Sequence, residues 1–163
     1  MESYLSAQDF LEIYRKYKNL LYRIAFTYVK NNEDVEDILQ EVFIRRLYKA
    51  PIFEDGEYEK RWLIKVTVNL CKNHVKSFWQ RNKSNIDDLT EVLGIEYWDL
   101  DSEEKSVFSE VMSLPAKQRV VIYLHYYEGY SCKEIAEIMK SGESAVKMQL
   151  KKGRELLKKN MED

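Results

Sequence analysis

Apolar residues recur at intervals of three and four along most of the chain. From Ala7 to Val29 they are Phe10, Ile13, Tyr14, Tyr17, Leu20, Leu21, Ile24, Ala25 and Tyr28, one face of an amphipathic helix. Asn31-Asn32-Glu33-Asp34 interrupts that face with capping and turn residues. A second helix buries Val35, Ile38, Leu39, Val42, Phe43 and Leu47 and ends at or just before Pro51. Phe53-Glu54-Asp55-Gly56-Glu57 reads as a loop. A third helical pattern runs from near Tyr58 to about Trp79 through Trp62, Leu63, Val66, Leu70 and Val75. The β-branched run Val66-Thr67-Val68 weakens it locally, but the periodicity on either side outweighs that. Three such helices can share a core, which predicts a first domain up to about residue 80.

The pattern then lapses while the charge turns acidic. Asp87, Asp88, Glu91, Glu96, Asp99, Asp101, Glu103, Glu104 and Glu110 face only Lys105, and the apolar residues among them keep no long helical period. Two readings fit: a solvated tether, or a linker with a binding role. Periodicity resumes from Val107. Leu114-Pro115 starts a helix with proline in its first turn, and Val120, Val121, Leu124 and Tyr127 continue its buried face. Glu128-Gly129-Tyr130 reads as a cap and turn, since glycine enters the left-handed region cheaply. Ser131-Cys132-Lys133-Glu134 has the form of a capping box and opens a helix burying Ile135, Ala136, Ile138 and Met139. A turn at Ser141-Gly142-Glu143 leads to a last helix with Val146, Leu150, Gly153 and Leu157 inward.

Composition narrows the class. Hydrophobic residues make up 45% of 163, enough for a core, and five glycines and two prolines are too few for many short strands. Cys71 and Cys132 do not form a disulfide framework. Cys71 and His74 could share a helical face, but with no second pair nearby a buried thiol is the better reading than zinc. No basic-then-apolar leader and no span of about 20 apolar residues is present, so a soluble, cytoplasmic protein without membrane insertion is expected. His74 and His125 lie far apart in sequence, outside any catalytic motif, and no phosphate-binding glycine loop appears. Neither catalysis nor a cofactor is expected.

The net charge of −2 hides a strong segregation. Two helices joined by a short glycine-containing turn make a helix-turn-helix, able to lay its second helix in a major groove. On that second helix Lys147, Lys151, Lys152, Arg154 and Lys158 lie away from the apolar stripe, where cations can displace counterions from phosphates. Alone, this helix fits an ordinary solvated basic face equally well; the capped helix before it favours DNA. From Lys60 to Ser84 the chain carries Lys60, Arg61, Lys65, Lys72, Lys76, Arg81 and Lys83 without one acid, interleaved with Trp62, Phe78 and Trp79. Cations among aromatic rings suit single-stranded or opened nucleic acid. Spacing assigns Trp62 to the core and leaves Trp79 the freer ring. The helix from Asp34 to Tyr48 is acidic instead, through Asp34, Glu36, Asp37 and Glu41. Acid at a helix start is partly dipole chemistry, yet beside a basic neighbour it suggests a protein partner.

These residues resemble a known family. Tyr22-Arg23-Ile24-Ala25, Asp34 to Phe43 and Trp62 to Asn73 are similar to region two of the extracytoplasmic-function sigma factors. Leu114 to Arg119, Tyr127 to Ser131 and Glu134 to Ile138 resemble region four, in the same order and spacing. The resemblance implies an all-α protein of two small helical domains. Residues 1–84 would bind core RNA polymerase and the −10 element, 85–105 would be an acidic linker, and 106–163 would read −35 DNA.

It further implies that Asp34, Asp37, Gln40, Glu41, Phe43 and Ile44 meet the clamp helices of the polymerase's largest subunit. Phe53, Lys60, Arg61, Lys65, Asn69, Lys72 and Lys76 would hold the melted −10 strand, with a base flipped from the stack. Ser144, Lys147, Met148, Lys151, Lys152 and Arg154 would contact the −35 element. The linker would thread towards the active centre and RNA exit path, and an anti-sigma factor would cover the binding faces.

Met148 and Gln149 stand where the family commonly has polar and basic residues, and Ser141 where an apolar one is usual, which puts the −35 preference in question. Gly153 costs the last helix about 1 kcal/mol relative to alanine unless close packing requires it. A response regulator would need strand–helix alternation in the first eighty residues, which is absent. A sigma-like decoy unable to open DNA would share the same pattern.

Overall fold

A computed structural model describes residues 5–81 and 102–162, with side chains over 5–76 and 107–162. The described residues are helical, without strands: α1 (Ala7–Val29), α2 (Asn32–Tyr48), α3 (Gly56–Arg81), α4 (Ser102–Met112), α5 (Ala116–Ile122), α6 (Cys132–Met139) and α7 (Glu143–Glu162). Most of the 85–105 linker, and the side chains of Phe78, Trp79, Arg81 and Lys83, lie outside the described residues.

Helices α1 to α3 form the first unit. Ser6 caps α1 by accepting from the Asp9 amide, and Asn31 caps α2 by accepting from that of Asp34. Only two residues separate α1 from α2, and Lys30 makes the reversal in the left-handed region at φ 53°. Asp55 accepts from the amides of Glu57 and Tyr58 at 3.0 Å each, so α3 begins at Gly56, inside the segment read as a loop. Leu21, Ile24, Ala25 and Phe26 meet Val35, Val42, Leu63, Ile64, Val68 and Cys71 in a fully buried core. The β-branched stretch stays helical because Val68 is buried and Thr67 returns its hydroxyl to the Leu63 carbonyl at 2.8 Å.

Helices α4 to α7 form the second unit around Phe108, Met112, Val120, Ile122, Leu124, Ile135, Ile138, Val146 and Leu150. Helix α4 begins at Ser102, within the segment read as linker. Ser-Glu-Glu is helix-starting chemistry, and Phe108, Val111 and Met112 are buried on its far half. A π-helical turn, Tyr123–Tyr127, prolongs α5, with the Glu128 amide donating to the Tyr123 carbonyl at 3.3 Å. The wider turn rotates Tyr127 out of the face that three-and-four spacing assigned it, to 36% exposure.

At Gly153 α7 lies close against Ile122 of α5. A Cβ there would sit 2.7 Å from Ile122 Cγ1 and 3.0 Å from its Cδ1. Overpacking of that kind costs about 1–3 kcal/mol, against about 1 kcal/mol of helix propensity gained. Gly153→Ala is therefore expected to destabilise the chain by about 1 kcal/mol in urea unfolding, and Gly153→Val by more. Ile122→Val, which shortens the opposing side chain, should recover part of the loss.

The two units pack on each other through α1, α3, α5 and α6. At their junction Arg119 of α5 is 5% exposed. Its guanidinium donates to the Thr27 carbonyl, to Tyr28 at 3.4 Å, to Met112 at 3.3 Å and to Leu114 at 3.0 Å. Neither α1 nor α4 has a basic residue in its last turn, so one cation from α5 supplies donors at both C-terminal ends. Burial draws Arg119 down to about 10, still a cation at neutral pH. Burial, helped by Arg119, also brings Lys30 down to about 8.

Candidate functional site

Three surfaces carry the residues singled out from sequence. The first is a groove of about 570 Å³ between α1 and α2. Phe43 is buried at its floor, edge-on to Phe10 at 6.2 Å and Tyr14 at 4.9 Å. Asp37, Gln40 and Ile44 line it with Lys18, Glu36 and Leu47. Ile44 is 45% exposed, an apolar side chain offered beside carboxylates. Asp34 and Glu41 are outside the groove. Asp34 Oδ2 lies 3.3 Å from His74 Nε2, and Glu41 accepts from Arg45 at 3.0 Å.

The second surface joins the loop after α2 to α3. Arg46 donates to Glu59 at 2.6 Å, a pair largely shielded from water that ties the end of α2 to the start of α3. The Tyr17 hydroxyl donates to the Gly56 carbonyl at 3.2 Å. Phe53 is half-buried, edge-on to Trp62 at 5.7 Å with the Arg46 guanidinium 5.0 Å from its ring centre. Around this clamp Tyr48, Ile52 and Tyr58 are exposed, Ile52 at 93%. Along α3, Lys65 and Asn69 are half-buried and Lys76 exposed. Arg61 pairs with Glu57 of its own helix at 3.2 Å and with Glu134 of α6. Lys60 lies 5.5 Å from the centre of the Tyr130 ring, and Lys72 donates to the Met139 carbonyl at 2.6 Å. Burial, then Lys140, lowers the Lys72 ammonium from its ordinary range.

The third surface is the outer face of α7. The Ser131–Glu134 capping box opens α6, and the three residues 140–142 turn into α7. Lys140, not Gly142, takes the left-handed conformation there, at φ 55°. With Val146, Leu150 and Gly153 buried, Ser144, Lys147, Met148, Lys151, Lys152 and Arg154 all stand exposed. Met148 is half exposed, and Arg154 donates to the Tyr126 hydroxyl at 3.1 Å. Gln149 turns inward and accepts from Gln118 of α5, so it braces α7 and does not join its outer face.

Comparison with known proteins follows this division. Residues 13–81 match the Sigma-70 region 2 family and residues 107–157 the Sigma-70, region 4 family. The ECF RNA polymerase sigma factor SigX of Bacillus subtilis is 30% identical over 171 aligned positions, covering 95% of this chain and 84% of that protein. The chain belongs to the extracytoplasmic-function RNA polymerase sigma factors. SigW of the same bacterium is 29% identical, covering 94% of this chain and 89% of its own. Among solved structures, the sigma factor RpoE of Bartonella quintana, crystallised with the anti-sigma factor NepR, has the same fold. It superposes with a TM-score of 0.73 at 20% identity, covering 96% of this chain and 98% of that one.

Region two therefore comprises α1 to α3, and the helix-turn-helix of region four is α6 and α7. Sequence reasoning missed the α1 side of the groove, because Phe10 and Tyr14 read as ordinary core positions. It also missed Arg46, Glu59 and Tyr17, whose pairing depends on a turn that periodicity does not describe. Ile52, a large apolar residue outside every helical stripe and 93% exposed, was the available signal.

Proposed function

We propose that the chain docks on core RNA polymerase through the α1–α2 groove and directs it to promoters whose −10 and −35 elements it reads itself. The carrying observation is the separation of three unlike surfaces on one scaffold: an acid-rimmed apolar groove, a basic helix with a clamped loop, and a basic recognition helix. Asp37, Gln40 and Ile44 face the polymerase over Phe43, with Asp34 and Glu41 at the flank. Lys60, Arg61, Lys65, Lys72 and Lys76 neutralise the phosphates of an opened strand, at a gain that falls steeply with salt, and Asn69 beside them offers an uncharged hydrogen-bonding amide. Phe53 shapes the −10 loop from beneath, while Ile52 and Tyr58 offer apolar surface to an unstacked base. Ser144, Lys147, Met148, Lys151, Lys152 and Arg154 enter the −35 major groove.

The subunit makes and breaks no bond: its binding energy opens DNA for a polymerase that does the chemistry. It works in the cytoplasm and is held inactive by an anti-sigma factor, in keeping with the NepR complex of its structural relative. No described helix is long and apolar enough to cross a membrane. The functional units we propose are 1–84 and 106–163, with α4 carrying the second back to Ser102, inside the 85–105 segment read as linker.

The test is transcription in vitro from a pool of promoter fragments, using purified core polymerase with and without the protein. Transcripts that require the protein and share upstream elements are expected. Binding to core without any transcript would mark it as a decoy, and no binding to core would overturn the proposal.

A further inference from the structure

We infer that Tyr126, which lies outside the helix-turn-helix, is a positioning residue for −35 binding: it holds the Arg154 guanidinium against a backbone phosphate at the edge of the major groove. The inference rests on the assignment of the outer face of α7 to −35 DNA. On that face Lys147, Lys151, Arg154 and Lys158 follow one another at helical intervals of four, three and four residues, which makes one basic stripe. All four are exposed. Lys147 is paired within its own helix, with Glu143 at 3.4 Å. Arg154 is instead held from another element: its Nη1 donates to the Tyr126 hydroxyl at 3.1 Å.

Tyr126 is itself set in place. It belongs to the π-helical turn Tyr123–Tyr127, and single wide turns of this kind recur at functional sites. His125 Nδ1 lies 2.8 Å from the Tyr130 carbonyl oxygen, and the His125 ring stands edge-on to that of Tyr126 at 4.8 Å. The tyrosine is nevertheless 54% exposed. A hydrogen bond between two groups so open to water adds little to folding, because water replaces either partner. Its consequence is the direction it gives the guanidinium. One N–H group is engaged by the hydroxyl, and the rest of the planar fork stays free for an acceptor.

Position along α7 identifies that acceptor. A helix that reads the major groove touches base edges through its N-terminal residues. Arg154 is ten residues beyond Ser144, about 15 Å along the helix axis, and the groove is about 12 Å wide. With Ser144, Lys147 and Met148 over the bases, Arg154 reaches the phosphates. A side chain held there before DNA arrives loses less freedom on binding, which favours the complex with any sequence.

The experiment uses the full chain and a fluorescein-labelled duplex of about 30 base pairs of random sequence, because a phosphate contact carries no sequence information. Affinity is read by anisotropy between about 20 and 200 mM salt. Tyr126→Phe removes the hydroxyl and keeps the ring, and it should melt with the parent. It is expected to bind about threefold more weakly with an unchanged salt slope, since no charge is lost. Arg154→Gln should bind about tenfold more weakly and lower the slope by about one. The double variant should be no weaker than Arg154→Gln alone, as it must be if the tyrosine acts through the arginine. Lys151→Gln reports on the α7 face independently. Losses confined to Lys151→Gln, or to it and Arg154→Gln with Tyr126→Phe at the parent's affinity, would overturn the inference. Additive losses in the double variant would overturn it as well, by making the tyrosine a separate contact. A parent that does not bind the duplex, or Lys151→Gln and Arg154→Gln that both bind as it does, would overturn the assignment of α7 and the inference with it.

Discussion

Arg119→Met is expected to lower the stability of the chain by about 3 kcal/mol, the largest loss from any single substitution at the junction of the two units. Four backbone carbonyls, from Thr27, Tyr28, Met112 and Leu114, share this guanidinium. Methionine fills much of the same volume and relieves the cost of burying a cation, which offsets part of the effect. It donates nothing, however, so the helix-end carbonyls are left in a dry site at about 1–3 kcal/mol for each that finds no water. At about 2–4 °C per kcal/mol for a chain of this size, the melting temperature should fall by about 6–12 °C. Arg119→Lys should recover only part of the loss, because a single ammonium cannot reach four acceptors in the arrangement of a planar fork. Calorimetry of the three proteins checks this. A Met variant as stable as the parent would mean that the carbonyls find water once the guanidinium is gone.

Arg119 also marks the limit of what the sequence made legible. Within a helix, position decides burial, so the apolar stripes of α1, α2 and α7 and the Ser131–Glu134 cap could be read from spacing. The basic run on α3 and the outer cations of α7 were equally visible, since charge of one sign on one face needs no knowledge of tertiary structure. Contacts across elements were not. Arg119 reads as an unremarkable cation in the Ala116 to Arg119 run, yet it is buried because two other helices end beside it. Gln149 looks like a recognition-helix side chain and turns inward because Gln118 receives it. Tyr127 left its expected face because one extra residue in the turn rotates everything after it. Gly153 is the reverse case: its cost to the helix is plain in the sequence, and its reason appears only with Ile122 against it.

Ile44→Arg is expected to weaken binding to core polymerase by a factor of about 30, leaving the fold intact. Ile44 is 45% exposed at the wall of the α1–α2 groove, so replacing it opens no cavity in the core. If the groove seats a polymerase helix, an apolar contact at its centre becomes a charge that must be desolvated on docking. Interface centres of that kind carry about 2 kcal/mol or more per residue, which sets the expected factor. Asp37→Lys tests the acidic rim separately. It should act mainly on the rate of association and lose its effect as salt rises, because the attraction it removes is screened over about 10 Å at 0.1 M salt. Phe43→Ala would not serve, since Phe43 is buried against Phe10 and Tyr14 and its loss would disturb the packing of α1 on α2. Fluorescence anisotropy of the labelled protein, titrated with core polymerase and followed in time after rapid mixing, gives the affinity and the association rate. An Ile44→Arg protein that binds as tightly as the parent would move the docking site off this groove. If the Asp37→Lys effect instead persists at high salt, the carboxylate is a buried contact rather than a steering charge.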